Sequence, residues 1–99
     1  MGKVILQKKA IDTLDFLKKY ENKEYKQVLV ALQEIDHFGW KYENLKPIGQ
    51  GIKRLRVGRW RILCTSNAES ILVWIIAREK DTKKDYMLRK NYILTLSRS

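Results

Sequence analysis

Residues 52–65 read IKRLRV-GR-WRILCT, and this stretch decides the fold. Polar and apolar residues alternate on both sides of Gly58-Arg59, and a Gly-X pair between two such runs is typical of a β-hairpin with a two-residue type II′ turn. The sequence therefore predicts two antiparallel strands over residues 52–57 and 60–65.

The turn also fixes which residues of the two strands lie opposite each other. The predicted opposite pairs are Val57 and Trp60, Arg56 and Arg61, Leu55 and Ile62, and Arg54 and Leu63. Because alternate residues share a face, one face is apolar and the opposite face carries Arg54, Arg56 and Arg61. Like charges across a sheet destabilise it, and no acidic residue occurs between Glu43 and Glu69 to compensate. The cluster therefore predicts an anionic ligand such as a phosphate group.

The sequence after the hairpin predicts another strand and a helix. The run 71–77 is rich in β-branched and aromatic residues, which favours a central strand buried on both faces. The strand ends at Arg78, and the alternation leaves open which face Arg78 joins. A C-terminal helix is predicted to start near Asp81 or Thr82, with lysines in its first turn, where free backbone N–H groups can bind phosphate.

The first half of the chain is predicted to be mainly helical. Apolar residues recur at helical spacing over residues 10–17, and again over 25–35 in a second helix that Asn22 can cap and Gly39 can end. A short strand over residues 3–6 precedes the helices. The segment that contains Pro47, Gly49 and Gly51 is interpreted as a loop.

These elements together predict an α+β fold in a single domain spanning residues 1–99. The predicted architecture is an N-terminal helical hairpin packed on a mainly antiparallel, twisted sheet of three to four strands, with a C-terminal helix.

Length and composition exclude several classes of protein. A chain of 99 residues is too short for a two-domain enzyme, and its 44% hydrophobic content without a long apolar run excludes a membrane-spanning protein. No secretion signal is recognisable near the N-terminus, so a cytoplasmic protein is expected. One cysteine and one histidine cannot build a Cys/His zinc site, so neither a metal nor a small-molecule cofactor is expected.

The charge is strongly basic and unevenly distributed. Twenty-one Lys and Arg residues against eleven acids give a net charge of +10, and all seven arginines follow residue 53. A guanidinium group binds phosphate through two parallel hydrogen bonds, whereas a lysine acts as a point charge. The second half is therefore predicted to bind an anionic polymer.

Two segments resemble the RelE/ParE toxin superfamily. Residues 54–63, RLRVGRWRIL, are similar to the family's hairpin of a basic residue, Leu, Arg, a turn with Gly, an aromatic residue, Arg and an aliphatic residue. Residues 73–80, VWIIAREK, are similar to the strand that ends in the family's basic cluster. The resemblance implies a RelE-like fold and a toxin of a type II toxin-antitoxin pair.

RelE-like members of the superfamily cut mRNA on the ribosome, and ParE-like members inhibit DNA gyrase. We favour the first activity: a metal-independent, ribosome-dependent mRNA endonuclease. Its expected partners are a cognate antitoxin protein, the ribosome and mRNA, with no membrane. The alternatives are a ParE-like gyrase inhibitor and a noncatalytic nucleic-acid-binding protein.

The resemblance also implies roles for individual residues. Arg61 matches the hairpin arginine that contacts the scissile phosphate, and Arg78 matches the arginine after the central strand. The catalytic candidates are Arg54, Arg61, Arg78 and Tyr86. The RNA-binding candidates are Lys53, Arg56, Arg59, Lys80, Lys83 and Lys84. Ala77 departs from the pattern, because many relatives carry histidine there.

The chemistry gives these residues possible tasks. Attack by a 2′-hydroxyl group on the adjacent phosphate requires that the developing negative charge be stabilised, and Arg61 and Arg78 are expected to clamp the phosphate. Tyr86 or Lys80 would be the acid or base, with a pKa lowered by the surrounding cations.

Overall fold

A computed structural model describes residues 3–78 of the chain, which form two helices and five strands. In chain order these are β1 (Lys3–Leu6), α1 (Lys8–Tyr20), α2 (Asn22–Phe38), β2 (Lys46–Gly49), β3 (Ile52–Val57), β4 (Trp60–Asn67) and β5 (Ser70–Arg78). The α+β class and the N-terminal helical hairpin are as predicted. The predicted C-terminal helix lies outside the described residues.

The two helices begin and end close to their predicted positions. The prediction that Asn22 caps α2 is wrong: Asn22 is the first helical residue, and Glu21 precedes it without a side-chain capping bond. Gly39 ends α2 as predicted, because its φ of 78° suits a residue without a side chain and its N–H donates to the carbonyl of Ile35. No helix of the described part is long and apolar enough to cross a bilayer.

Within residues 3–78 the sheet has five strands in the order β1-β5-β4-β3-β2, rather than the predicted three to four. β1 pairs with β5 in parallel, and the other pairs are antiparallel. The additional strand is β2, in the segment interpreted as a loop. Pro47 and Gly49 favour a loop in the sequence, yet proline is tolerated in an edge strand because its missing N–H is not needed on the open side.

The central hairpin has the predicted register. β3 and β4 pair Val57 with Trp60 and Arg56 with Arg61. Gly58 has a φ of +59°, whereas the φ of Arg59 is not positive. A positive φ at the first central residue alone matches a type II′ turn.

A β-bulge in β5 determines the face that Arg78 joins. The register with β4 shifts between Leu63, which pairs with Ile75, and Cys64, which pairs with Val73, so Trp74 is an extra residue. The extra residue reverses the alternation along the strand. Arg78 consequently pairs with Trp60 and lies on the helix side of the sheet.

Both faces of the sheet contribute to buried clusters. The larger cluster joins α1 and α2 to the face that carries Leu55, Trp60 and Ile62. The second cluster lies on the opposite face and consists of Ile52, Leu63, Trp74, Ile75 and Ala77. β5 contributes to both clusters, which confirms the central strand buried on both faces.

Candidate functional site

Three arginines share the sheet face opposite the helices. Arg54 and Arg56 on β3 alternate with Leu55, which packs toward α1 and α2, and Arg56 is directly opposite Arg61 on β4. We call Arg54, Arg56 and Arg61 the arginine face. The predicted cluster is therefore present.

The three side chains have different environments. Arg61 is only 3% exposed, and its Nη1 atom donates to the carbonyl oxygens of Gly58 and Trp60, at 2.9 Å each. Gly58 lies in the turn and Trp60 directly follows it, so these bonds of Arg61 stabilise the end of the hairpin. Arg56 is exposed. Removal of Arg56 therefore disturbs the fold less than removal of Arg61.

Arg54 carries a buried donor that no described residue satisfies. Its Nε atom is buried, and no acceptor within residues 3–78 forms a hydrogen bond with it. Within the part of the chain that the structure describes, no carboxylate pairs with Arg54 or Arg56. A buried donor without an acceptor costs free energy, and an anion would recover that cost if the Arg54 side chain turned its Nε atom toward the surface.

A second cationic cluster occupies the helix side of the same hairpin. Glu24 on α2 accepts hydrogen bonds from Arg59 Nε at 2.9 Å and from Trp60 Nε1 at 2.6 Å, and it also forms an ion pair with Arg59 Nη2. The Arg78 guanidinium lies 5.6 Å from the Trp60 ring centroid. We call Glu24, Arg59, Trp60 and Arg78 the hairpin-end cluster.

Hydrogen bonding controls the charge state of Glu24. The bond from Arg59, followed by the bond from Trp60, holds the pKa of the Glu24 carboxyl below its usual value, and the charge of Arg78 acts in the same direction. The same contact with Glu24 raises the pKa of Arg59. Glu24 is thus a carboxylate at neutral pH and neutralises part of this cluster.

The predicted phosphate clamp of Arg61 and Arg78 is not assembled in this arrangement. Arg61 pairs with Ala77, and Arg78 pairs with Trp60 on the opposite face of the sheet. Sequence alternation could not reveal this separation, because it results from the bulge at Trp74.

The remaining predicted binding residues are also dispersed. The Nζ atom of Lys53 donates to the carbonyl oxygen of Trp40 at 2.7 Å and lies 4.6 Å from the centroid of the Trp40 ring. Lys53 therefore contacts the segment that follows α2. Arg59 belongs to the hairpin-end cluster. The candidates Lys80, Lys83, Lys84 and Tyr86 lie outside the described residues.

Sequence reasoning missed Glu24. This residue lies 35 positions before Arg59, and its place in the first turn of α2 is an ordinary one for an acid. The only signal in the sequence was the excess of arginine over acid around the turn, which left a partner to be found elsewhere in the chain.

No protein-family model and no curated protein sequence matches this chain. Solved structures do match. The YoeB dimer from Staphylococcus aureus is 18% identical, with a TM-score of 0.62 over 77% of this chain and 94% of that chain. A chain of the chromosomal ParDE toxin-antitoxin system from P. aeruginosa is 12% identical, with a TM-score of 0.66 over 79% and 96%. A chain of the RelE-RelB complex from Pyrococcus horikoshii is 18% identical, with a TM-score of 0.59 over 78% and 93%.

The chain has the fold of the RelE/ParE toxins. In this fold the arginine face occupies the central hairpin, on the side of the sheet away from the helical hairpin. The RelE/ParE fold also supports the resemblance seen in residues 54–63. At 12 to 18% identity this likeness concerns the fold alone.

Proposed function

We propose that this protein is the toxin of a toxin-antitoxin pair and that it cuts mRNA on the ribosome. The observation that carries the proposal is the arginine face, where three arginines share one face and the buried Nε atom of Arg54 has no partner among the described residues. The RelE/ParE fold supports the toxin part of this proposal, because the similar structures include a YoeB/ParE toxin from Agrobacterium tumefaciens and a YoeB-YefM toxin-antitoxin complex from Staphylococcus aureus.

The proposed chemistry is an attack by a ribose 2′-oxygen on the adjacent phosphorus atom. The 2′-oxygen loses its proton to a base, a 2′,3′-cyclic phosphate forms, and the 5′-oxygen leaves with a proton. Charge accumulates on the phosphate oxygens in the transition state. Guanidinium groups aimed at those oxygens contribute about 3 to 4 kcal/mol per donor in sites of this type.

We assign the phosphate contacts to Arg54, Arg56 and Arg61. This assignment replaces the pair of Arg61 and Arg78, which lie on opposite faces. Tyr86 or Lys80 remains the proposed acid or base, and Lys83 and Lys84 remain additional RNA-binding candidates.

An antitoxin is the proposed protein partner. Solved structures similar to this chain include a YoeB-YefM complex from Staphylococcus aureus and a RelE-RelB complex from Pyrococcus horikoshii. A chain with a net charge of +10 favours fast association with an acidic partner.

Inhibition of DNA gyrase is the second candidate function. It is favoured by the similarity to the ParDE structure, and the fold itself does not separate the two activities.

A parallel assay discriminates between the two activities. The toxin is induced briefly in growing bacteria, primer extension maps breaks in translated mRNA, and the purified protein is added to a gyrase supercoiling reaction. We expect breaks within translated codons from the wild type and none from Arg56→Ala. Loss of supercoiling without mRNA breaks would replace the endonuclease by the gyrase inhibitor.

A further inference from the structure

Glu24 connects α2 to the turn of the central hairpin. It lies in the first turn of the helix, and its two carboxylate oxygens accept bonds from two consecutive residues of the hairpin. Oε1 accepts from Arg59 Nε at 2.9 Å, and Oε2 accepts from Trp60 Nε1 at 2.6 Å. These bonds join residues that are 35 and 36 positions apart in the sequence. The turn is therefore held by an element outside the hairpin.

The same turn holds the guanidinium group of Arg61. The Nη1 atom of Arg61 donates to the carbonyl oxygens of Gly58 and Trp60, at 2.9 Å each. Arg59 lies between these two residues, so the groups that Glu24 binds and the groups that bind Arg61 belong to one run, residues 58–60. A displacement of this run would displace the acceptors of Arg61.

Strand pairing fixes the backbone of this run unequally. Trp60 pairs with residues of both β3 and β5, whereas Gly58 and Arg59 form the turn and are exposed. Exposed turns open more easily than paired strands, because fewer hydrogen bonds and buried contacts have to break. The contact from α2 limits this opening at the point where Gly58 offers its carbonyl oxygen to Arg61.

The two sets of bonds lie on opposite sides of the sheet. Trp60 belongs to the larger buried cluster on the helix side, and Arg61, as the next residue of the strand, points to the other side. Glu24 thus binds the hairpin on the helix side, while the group that depends on the turn lies on the arginine face. Glu24 can act on the arginine face without touching a ligand bound there.

The charge of Glu24 argues against a role in attracting RNA. The hydrogen bonds from Arg59 and Trp60 lower the pKa of the Glu24 carboxyl, so the group is negative at neutral pH. A negative group repels phosphate, and the ion pair with Glu24 neutralises the charge of Arg59. Glu24 therefore contributes to the geometry of the hairpin rather than to the affinity for RNA.

We propose that Glu24 is a positioning residue of the arginine face: it fixes the turn at residues 58–60 and thereby holds the guanidinium group of Arg61 in place. The inference rests on the proposed function for the reaction that Arg61 serves, and the positioning itself is measurable without RNA. A misplacement of about 1 Å can reduce a catalytic rate about a hundredfold, so the loss of this support should affect the cleavage rate more than the binding of RNA.

The activity test compares Glu24→Gln with Asp36→Asn. Both variants replace an acid of α2 by its amide and raise the net charge by one, from +10 to +11. Asp36 is a matched control because its Oδ1 atom also bonds a distant segment, the N–H of Val4, but near the other end of α2. In Glu24→Gln the amide places an NH₂ group against one of the two donors, Arg59 or Trp60.

We expect the cleavage rate of Glu24→Gln to fall at least about tenfold, measured as a single turnover with saturating protein in a reconstituted translation reaction. Binding of a labelled oligouridine, measured by anisotropy, should be at least as tight as that of wild type, because a negative charge is removed. Asp36→Asn should keep the wild-type rate. A simultaneous loss of rate and binding in Glu24→Gln would indicate a general loss of structure and would contradict the positioning role, as would an unchanged rate.

Glu24→Asp separates the position of the carboxylate from its charge. Aspartate keeps the charge but is shorter by one CH₂ group, so the carboxylate is withdrawn by about 1.5 Å. We expect the cleavage rate to fall as it does in Glu24→Gln. A wild-type rate would mean that the charge alone matters and would refute the proposal. Thermal unfolding of the three variants shows that each is folded at the assay temperature.

A measurement on Arg61 tests the positioning without RNA. Nuclear relaxation of the isotopically labelled protein gives the order parameter of the Arg61 Nε–H group, which is about 0.85 for a rigid N–H group and below about 0.6 for a flexible one. We expect a rigid group in wild type and in Asp36→Asn, and a flexible group in Glu24→Gln. A flexible group in wild type, or a rigid one in Glu24→Gln, would overturn the proposal.

The two measurements distinguish this inference from the proposed function. A protein that shows the expected change at Arg61 but cuts no mRNA contradicts the endonuclease and leaves the positioning of Arg61 by Glu24 in place. A protein that cuts mRNA, and whose Arg61 is equally rigid with and without the Glu24 carboxylate, keeps the endonuclease and removes the positioning role.

Discussion

Arg56 and Arg61 face each other across the hairpin, yet the fold uses them differently. Arg61 is buried and bonded to two carbonyl oxygens, and Arg56 is exposed. We expect Arg56→Ala to abolish growth inhibition while the free energy of unfolding changes by less than about 0.5 kcal/mol. Arg61→Ala should lose growth inhibition and also about 2 kcal/mol, because buried bonds to a charged group are lost. Urea denaturation and growth assays measure both effects.

Arg56→Lys is the matched control for the first of these variants. Lysine keeps the charge but cannot bind a phosphate through two parallel bonds, so growth inhibition should be impaired. Full activity of a folded Arg56→Ala protein would contradict the assignment of Arg56 to the phosphate.

Glu24 makes the hairpin-end cluster sensitive to acid. The pKa of Glu24 is lower in the folded state than the ordinary value of 4.5, which applies to the unfolded chain. The contribution of Glu24 to stability is therefore complete above pH 4.5 and is lost as the pH falls through the folded-state pKa. We expect Glu24→Gln to lower the free energy of unfolding at pH 7 by about 1 kcal/mol. The difference from wild type should disappear at acidic pH. Denaturation curves at pH 7 and below the folded pKa measure it, and a difference that is independent of pH would contradict the role of the carboxylate.

The hairpin shows which features of an element its own sequence determines. The alternation over residues 52–57 and the Gly58-Arg59 turn are local, and they predicted the strand register correctly. The bulge at Trp74 was not predicted, because a continuous apolar run has no alternation to interrupt. β2 was missed for a related reason: Pro47 and Gly49 have loop preferences, and only pairing with β3 makes their segment a strand.

The turn of the hairpin depends on one backbone conformation. Gly58 has a φ of +59°, and a Cβ atom built there would meet no neighbour within 4 Å, so the cost of a side chain is conformational rather than steric. We expect Gly58→Ala to lower the free energy of unfolding by about 1 kcal/mol and Gly58→Asn to cost less, because asparagine tolerates positive φ. Urea denaturation of the two variants measures the difference. If alanine and asparagine cost the same amount, backbone conformation is not the cause.

At the scale of the whole molecule, the sequence predicted the fold class and the arginine face but not the division of the basic residues into two groups. That division depends on contacts between distant segments. Glu24 reaches the hairpin from α2, and the bulge in β5 turns Arg78 toward Trp60. Net charge contains no information on either contact, since it counts arginines without regard to the face that they occupy.

Two double variants test whether RNA binding depends on the total charge of the protein or on the position of the arginines. Lys8→Ala with Lys9→Ala, and Arg54→Ala with Arg56→Ala, each reduce the net charge from +10 to +8. Lys8 is exposed and its ion pair with Asp12 is a surface contact, so the lysine variant should keep the fold and most of the growth inhibition. The arginine variant should lose growth inhibition and bind single-stranded RNA with a salt dependence weakened by about 1.4 in log-log slope, which corresponds to two phosphate contacts. Anisotropy of a labelled oligouridine at a series of salt concentrations measures the slope. Equal slopes and equal growth inhibition for the two variants would mean that RNA is held by total charge rather than by the arginine face.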